Sequence, residues 1–219
     1  MVELINLFFV CNDHAIVDNT VNVDVMLVAQ ETQQRITSVD LVFGWDNTKL
    51  EFIGIDNTGA MDSLMSFVPE SGSNWDFYGI NEATPPADGN GLYYWLAPLD
   101  GIPYYISNPV KITTLQFKVL PDFSGTLVDV IPEMTVNATA RTIIYGSNIP
   151  GLAVTGMTNG CVVDGIPGDI NYNGRVDSGD MAMLLSNWGV VSFTNNPCDL
   201  NEDGIVDSID LGILLSNWS

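Results

Sequence analysis

The chain has 219 residues, of which 27 are Asp or Glu and only 6 are Lys or Arg, so its formal net charge is −21 at pH 7. A charge this negative repels nucleic acid and anionic membrane surfaces, which excludes both as partners and favours metal cations or basic protein surfaces. The apolar content of 46% is ordinary for a globular protein, and no apolar run approaches the roughly 20 residues that span a bilayer.

Residues 1–163 have the alternating pattern of β-strands. A short apolar stretch, Leu4–Val10, predicts the first strand. Three later segments place apolar residues at every second position, as half-buried strands do: Val21–Leu27, Val39–Trp45 and Thr113–Val119. Helical periodicity is scarce, apart from one turn predicted at Met61–Phe67. Many short strands separated by Asp-, Asn- and Gly-rich turns predict a β-sandwich or jelly roll.

Aromatic side chains cluster in and just beyond an elaborated loop region at 56–91. They are Trp75, Phe77, Tyr78, Tyr93, Tyr94 and Trp95. Two interpretations stay open. If the rings are exposed, they would stack on sugars or anchor a protein partner, and if they are buried, they fill the core of the sandwich.

The chain has three cysteines, Cys11, Cys161 and Cys198, and no CxxC pair, which excludes the common zinc and redox motifs. One intrachain disulfide at most can form. A Cys11–Cys161 bond would join the first strand of the large domain to its last, whereas Cys161–Cys198 would join the domain junction to the second repeat described below. A fully reduced state is the third alternative.

Catalytic signatures are absent from the sequence. His14 is the only histidine, which excludes most His-based triads. Asp and Glu are too frequent for one glycosidase-like pair to stand out. We therefore expect no enzymatic activity.

The turn-rich segment 164–168 breaks the strand pattern. It predicts a large β-domain at 1–163, a linker at 164–168 and a small domain at 169–219. The small domain is an internal repeat, because Asp169–Trp188 aligns without gaps with Asp199–Trp218, a period of 30 residues.

Each repeat begins with the oxygen-donor pattern of an EF-hand calcium loop, which takes ligands at positions 1, 3, 5, 7, 9 and 12 and glycine at position 6. The first set of ligands is Asp169, Asn171, Asn173, the backbone carbonyl of Arg175, Asp177 and Asp180. The second set is Asp199, Asn201, Asp203, the carbonyl of Ile205, Asp207 and Asp210. Two complete copies in register predict two bound calcium ions.

A helix is predicted after each loop but not before it. Four residues at helical spacing share one face in each copy: Met181, Leu184, Leu185 and Trp188, and then Leu211, Leu214, Leu215 and Trp218. We expect the Leu and Trp side chains of these faces to build the small core. A calcium loop followed by an exiting helix, in two copies, resembles the dockerin family over residues 169–218.

The dockerin resemblance implies two calcium ions, antiparallel helices and a role in binding cohesin domains. It also implies that loop positions 10 and 11 read the partner. These residues are Ser178, Gly179, Ser208 and Ile209. Because Gly179 has no side chain whereas Ile209 has a large one, the two partner-reading ends are not equivalent.

The large domain resembles cohesin-like domains in three segments, Val21–Ala29, Val39–Phe52 and Ile112–Val119, although Asn47 stands where the family usually has proline. The expected fold is therefore mainly β, a jelly-roll or β-sandwich cohesin-like domain followed by a small α-helical dockerin domain with paired EF-hand-like calcium loops. The expected function is that of a secreted or cell-surface, calcium-dependent structural protein that self-assembles head-to-tail into a filament or scaffold. The alternative is a carbohydrate-binding or adaptor module docked to a separate cohesin-bearing scaffold.

Overall fold

The computed structural model of the chain describes residues 5–29, 34–61, 89–96, 104–106, 108–121, 123–135, 139–146, 155–189, 196–201 and 203–219. The helical turn predicted at Met61–Phe67, apart from Met61, lies outside these residues, as do Trp75, Phe77 and Tyr78. Neither helix of the described residues has the length and apolar character needed to cross a bilayer.

Short strands dominate the described part of the chain. They are β1 Ile5–Cys11, β2 Thr20–Ala29, β3 Gln34–Gly44, β4 Leu50–Asp56, β5 Asn90–Leu96, β6 Tyr104–Ile106, β7 Val110–Val119, β8 Thr126–Val130, β9 Glu133–Thr135, β10 Thr139–Arg141, β11 Ile143–Gly146, β12 Thr155–Asn159 and β13 Cys161–Val163. The helices α1 Ser178–Ser186 and α2 Ser208–Ser216 follow them.

The strands form two sheets around one core, which confirms the predicted β-sandwich. The first sheet has five strands in the order β12-β1-β2-β7-β4, in which only β1 and β12 run parallel. The second sheet is built around β3, which pairs antiparallel with β5, β6, β8 and β11, and β8 pairs in turn with β13. Strands β9 and β10 pair with each other.

Strand β2 illustrates why the sequence alternates. Val21 and Val23 point into the core and are almost completely buried, while Asn22 between them is partly exposed. They lie opposite Phe117 and Leu115 of β7, which are also fully buried. The period of two therefore reflects one face of the sheet packed on the core and one face turned outward.

Aromatic rings fill the centre of the sandwich. Trp45 and Phe52 lie with their ring centroids 5.6 Å apart, and the Trp45 Nε1–H group donates a hydrogen bond of 3.0 Å to the carbonyl of Leu50. Tyr93 and Trp95 are completely buried in the same core. For these two rings the core interpretation is confirmed, and they cannot serve as a surface for stacking on sugars.

A disulfide joins Cys11 at the end of β1 to Cys161 at the start of β13. Of the three alternatives that the sequence leaves open, the structure therefore has the bond within the large domain. Cys198 is a free, buried thiol in the small domain, and burial, with the nearby charge of Asp210, raises its pKa.

Candidate metal centre formed by two calcium loops

The two helices begin in the same way, and each start belongs to a predicted calcium loop. Asp177 precedes α1 and accepts a hydrogen bond from the Gly179 N–H group, while the Asp180 side chain accepts one from the Asp177 N–H group. Asp207 and Asp210 form the same reciprocal capping box at α2. The residues at loop positions 9 and 12 thus fix the helix starts, so loop and helix form one hydrogen-bonded unit.

Carboxylates also fold the first loop around itself. Asp169 accepts hydrogen bonds from the N–H groups of Asn173 at 3.0 Å and Gly174 at 2.7 Å. Asp180 reaches back across the loop to the N–H groups of the two residues after Asp169, at 2.8 and 3.2 Å. The first and last ligand positions of the loop are therefore tied to its backbone.

The second loop repeats this hydrogen-bonding pattern at equivalent positions. Asp199 accepts from the N–H groups of Asp203 at 3.2 Å and Gly204 at 2.8 Å. Asp210 accepts from the two residues after Asp199 at 2.7 and 3.2 Å. Gly174 and Gly204 have φ angles of +89° and +92°, a conformation that glycine adopts without the steric cost of a Cβ atom.

The loops concentrate negative charge where water has little access. Asp180 and Asp210 are completely buried, and Asp169 is nearly so. Burial raises the pKa of Asp169, hydrogen bonds from Gly174 and Asn173 oppose that rise, and the charge of Asp180 adds to it. The ion pairs within the described residues, Lys111–Asp24, Lys118–Asp18 and Arg141–Glu133, involve none of these carboxylates. A bound cation would offset the cost of burying this charge.

The donor types fit a hard cation such as calcium. Within the described ranges, no three His, Cys, Asp or Glu side chains lie close enough to form a metal-binding group by themselves. Asn171, Asn173 and the carbonyl of Arg175 would have to complete the first set, and Asn201 and the carbonyl of Ile205 the second. An all-oxygen set of carboxylates, amides and carbonyls suits calcium better than metals that prefer sulfur or nitrogen. The assignment of six ligands to each loop stays a prediction.

The small domain has a core that follows the repeat. Its buried residues are Ile170, Val176, Leu184, Cys198, Val206 and Leu214. The two halves also exchange backbone hydrogen bonds after each helix. The Gly189 N–H group donates to the Val206 carbonyl at 2.8 Å, and the Ser219 N–H group donates to the Val176 carbonyl at 3.0 Å. Each helix end is therefore anchored on the opposite loop.

The prediction that the Leu and Trp residues of both helix faces build the core is wrong for four of the seven. Leu184 and Leu214 are completely buried, and Met181 and Leu211 are partly buried against the core. The remaining four residues are between 45% and 51% exposed: Leu185, Trp188, Leu215 and Trp218. A helix of nine residues turns only a narrow stripe toward so small a core, so adjacent apolar residues point outward.

The predicted partner-reading residues occupy the first two positions of each helix. Ser178 and Gly179 begin α1, Ser208 and Ile209 begin α2, and all four are exposed. Ile209 is a large apolar side chain that is 54% exposed. Large apolar side chains are therefore exposed on both helices of the small domain.

Sequence reasoning missed Tyr172, which occupies position 4 of the first loop. Its ring packs against the core of the sandwich and meets Phe123 edge-on, with ring centroids 5.1 Å apart. Burial raises the pKa of the Tyr172 phenol to about 12, and the charges of Asp164 and Asp169 add to the rise. The only signal in the sequence is an aromatic residue where the second loop has Glu202.

Comparison with known proteins agrees with both halves of this description. The Dockerin type I domain family matches residues 167–217. The cohesin module of a family 33 glycoside hydrolase from Clostridium perfringens is 7% identical, with a TM-score of 0.50 over 74% of this chain and 96% of that one. This match covers far more of the chain than the helical repeat, so it describes the fold of the sandwich.

Two further solved structures have somewhat lower TM-scores. A cohesin from Acetivibrio cellulolyticus scaffoldin B, solved with a dockerin, is 19% identical, with a TM-score of 0.47 over 72% of this chain and 96% of that one. A type I cohesin–dockerin complex from Clostridium thermocellum is 14% identical, with a TM-score of 0.46 over 72% of this chain and 96% of that one. Comparison with curated protein sequences gives no match. The chain thus has a segment at 167–217 that matches the dockerin type I family, behind a β-sandwich with the fold of a cohesin module.

Proposed function

We propose that the chain is a non-enzymatic, extracellular or cell-surface protein that binds other proteins through its calcium-loaded dockerin module. Cohesin and dockerin modules mediate protein–protein interaction. The observation that carries the proposal is the duplicated loop-and-helix unit at 169–219, which coincides with the dockerin match and leaves apolar side chains exposed. The domain limits 1–163, 164–168 and 169–219 are part of the proposal.

Two calcium ions are proposed as the structural cofactor of the module. Type I dockerin domains bind calcium, and both loops of this chain have the oxygen donors at the six positions. The second loop offers four carboxylates, Asp199, Asp203, Asp207 and Asp210, whereas the first offers three, Asp169, Asp177 and Asp180. Because affinity rises with the number of charged ligands, we expect the second loop to bind calcium more tightly.

Docking through the start of α2 is supported by the exposure of Ile209. Replacing Ile209 by Asp should weaken association with a β-domain partner about tenfold or more, since a charge would have to be buried in an apolar contact. Calcium uptake should not change, because position 11 supplies no ligand and the Ile209 side chain is exposed.

Ile209→Val is the matched control for this variant, because it keeps an apolar β-branched side chain at the same place. Its association should stay near that of the wild type when both are compared by sedimentation velocity in calcium. Equal association of the Asp and Val variants would show that Ile209 is not part of the docking surface.

Head-to-tail assembly is the finer part of the proposal. A dockerin module and a cohesin-like domain on one chain provide two complementary binding surfaces. A contact between these different surfaces of successive copies produces open filaments or rings. The contact between Tyr172 and its own sandwich uses the first calcium loop, so it leaves Ile209 and the exposed parts of both helices available to another molecule.

The assembly proposal predicts that the average mass of the full chain grows with protein concentration in calcium and returns to that of a monomer after chelation. Sedimentation velocity over a range of concentrations measures this directly. A single monomeric species at high concentration in calcium would rule out self-assembly and leave the adaptor function, in which the module binds a separate cohesin-bearing scaffold.

A further inference from the structure

The first calcium loop rests on the sandwich through the side chain of Tyr172. Its ring meets Phe123 edge-on on one side. It also lies over Gly165, where a Cβ atom would overlap the ring. Phe123 is a buried member of the sandwich core, so the ring extends the apolar packing of one domain into the calcium loop of the other.

Backbone contacts fix the same junction. The Val17 N–H group donates to the Tyr172 carbonyl at 3.0 Å, and two residues earlier the Ala15 N–H group donates to the Asp164 carbonyl at 2.8 Å. Tyr172 has a φ angle of +54°, a left-handed conformation that is uncommon for a bulky residue. The direction of its carbonyl therefore depends on the loop being folded.

A second point of contact lies two residues further along the loop. A Cβ atom built on Gly174 would come within 2.9 Å of Ile16 Cδ1, so this stretch of backbone lies directly against the sandwich. Tyr172 and Gly174 flank Asn173, and they alternate with the predicted ligands Asn171 and Asn173 along the chain. Holding positions 4 and 6 in place therefore also holds Asn173, the predicted ligand between them.

We propose that the sandwich positions the first calcium loop through Tyr172, and that calcium in this loop in return holds the dockerin module on its own β-domain. Tyr172 acts as a positioning residue for the first site, because its ring touches the sandwich and position 4 of the loop supplies no predicted ligand. Coupling of this kind is reciprocal. If contact with the sandwich strengthens calcium binding in the first loop, bound calcium stabilises that contact by the same free energy. The inference rests on the calcium binding proposed above.

Two glycine amides provide a separate signal for each loop. The Gly174 N–H group donates to Asp169 and the Gly204 N–H group donates to Asp199, so each amide resonance reports calcium in its own loop. In a calcium titration of the full chain followed by NMR, Tyr172→Ala should raise the dissociation constant at Gly174 about tenfold, the size of a lost aromatic contact. The constant at Gly204 should change much less, and Tyr172→Phe should behave like the wild type.

Gly165 allows the contact to be tested in the opposite direction. Gly165→Ala places a methyl group where the Tyr172 ring lies, so it should also weaken calcium binding at Gly174. In the Tyr172→Ala background the methyl group has room, and Gly165→Ala should have little further effect. Such non-additivity is expected of two residues in contact, whereas additive effects would contradict the proposal.

Hydrogen exchange of the wild-type chain tests the reciprocal half without any mutation. With calcium, the Ala15 and Val17 amides should both be protected. After chelation the protection factor of the Val17 amide should fall at least about tenfold, because its acceptor lies in the calcium loop. The protection factor of the Ala15 amide should change little. Val17 protection that is unchanged by chelation, or absent in calcium, would overturn the proposal. If Gly174 and Gly204 do not respond to calcium at all, the proposed function fails as well.

Discussion

Chelation of calcium is expected to unfold residues 169–219 while the sandwich keeps its structure. Among the described residues of the small domain, six apolar side chains are buried in its core, fewer than a domain of this size needs to fold without metals or disulfides. Asp180 and Asp210 are completely buried in it, and a bound cation would offset the cost of burying their carboxylates. The sandwich, by contrast, has its own large core and the Cys11–Cys161 bond.

Circular dichroism and limited proteolysis before and after addition of EDTA measure this effect. The helical signal should disappear, and cleavage should begin within 169–219 and spare 1–163. Returning calcium in excess should restore both. Helices that survive chelation with unchanged protease resistance would show that folding of the module does not depend on the metal.

Loss of a single buried carboxylate is expected to have an effect of similar size. Asp180→Ala removes the acceptor of three backbone hydrogen bonds, from Ile170, Asn171 and Asp177. Each buried N–H group that loses its partner costs about 1–3 kcal/mol, so the free energy of unfolding of the module should fall by about 3 kcal/mol or more. The variant should also lose the calcium of the first loop, because Asp180 is its position 12 ligand.

Asp56→Ala is the control for this variant, since the Asp56 carboxylate is exposed in a turn of the sandwich. This variant also replaces an Asp by Ala, but at a position outside the loops, so the stability of the module should not change. Asp210→Ala should reproduce the loss at the second loop. Thermal unfolding in calcium compares these three variants with the wild type. If the module is as stable in Asp180→Ala as it is in Asp56→Ala, the role given to Asp180 is contradicted.

The strands and the repeat could be predicted from the sequence because each has a strict spacing. The buried face of β2 alternates as its apolar residues do, with Val21 and Val23 inward. Gly174 and Gly204 mark the turns where the φ angles are indeed positive. In both cases the physical cause acts over a few neighbouring residues, so it leaves a local pattern.

Features that depend on tertiary contacts left no such pattern. Leu185 and Leu184 are equally apolar, and only the size of the core decides that one is exposed and the other buried. Trp95 and Tyr93 gave no sign of whether they lie inside or outside the sandwich. Tyr172 could not be understood from its loop alone, because its partner Phe123 belongs to the other domain.

Calorimetric titration of the full chain with calcium, after complete chelation and dialysis, tests the central claim most directly. We expect two bound ions per wild-type chain. Asp210→Ala should lose the tighter of the two sites and keep a single one. Binding of no calcium, or of one ion only by the wild-type chain, would contradict the account of 169–219 as a two-calcium dockerin module.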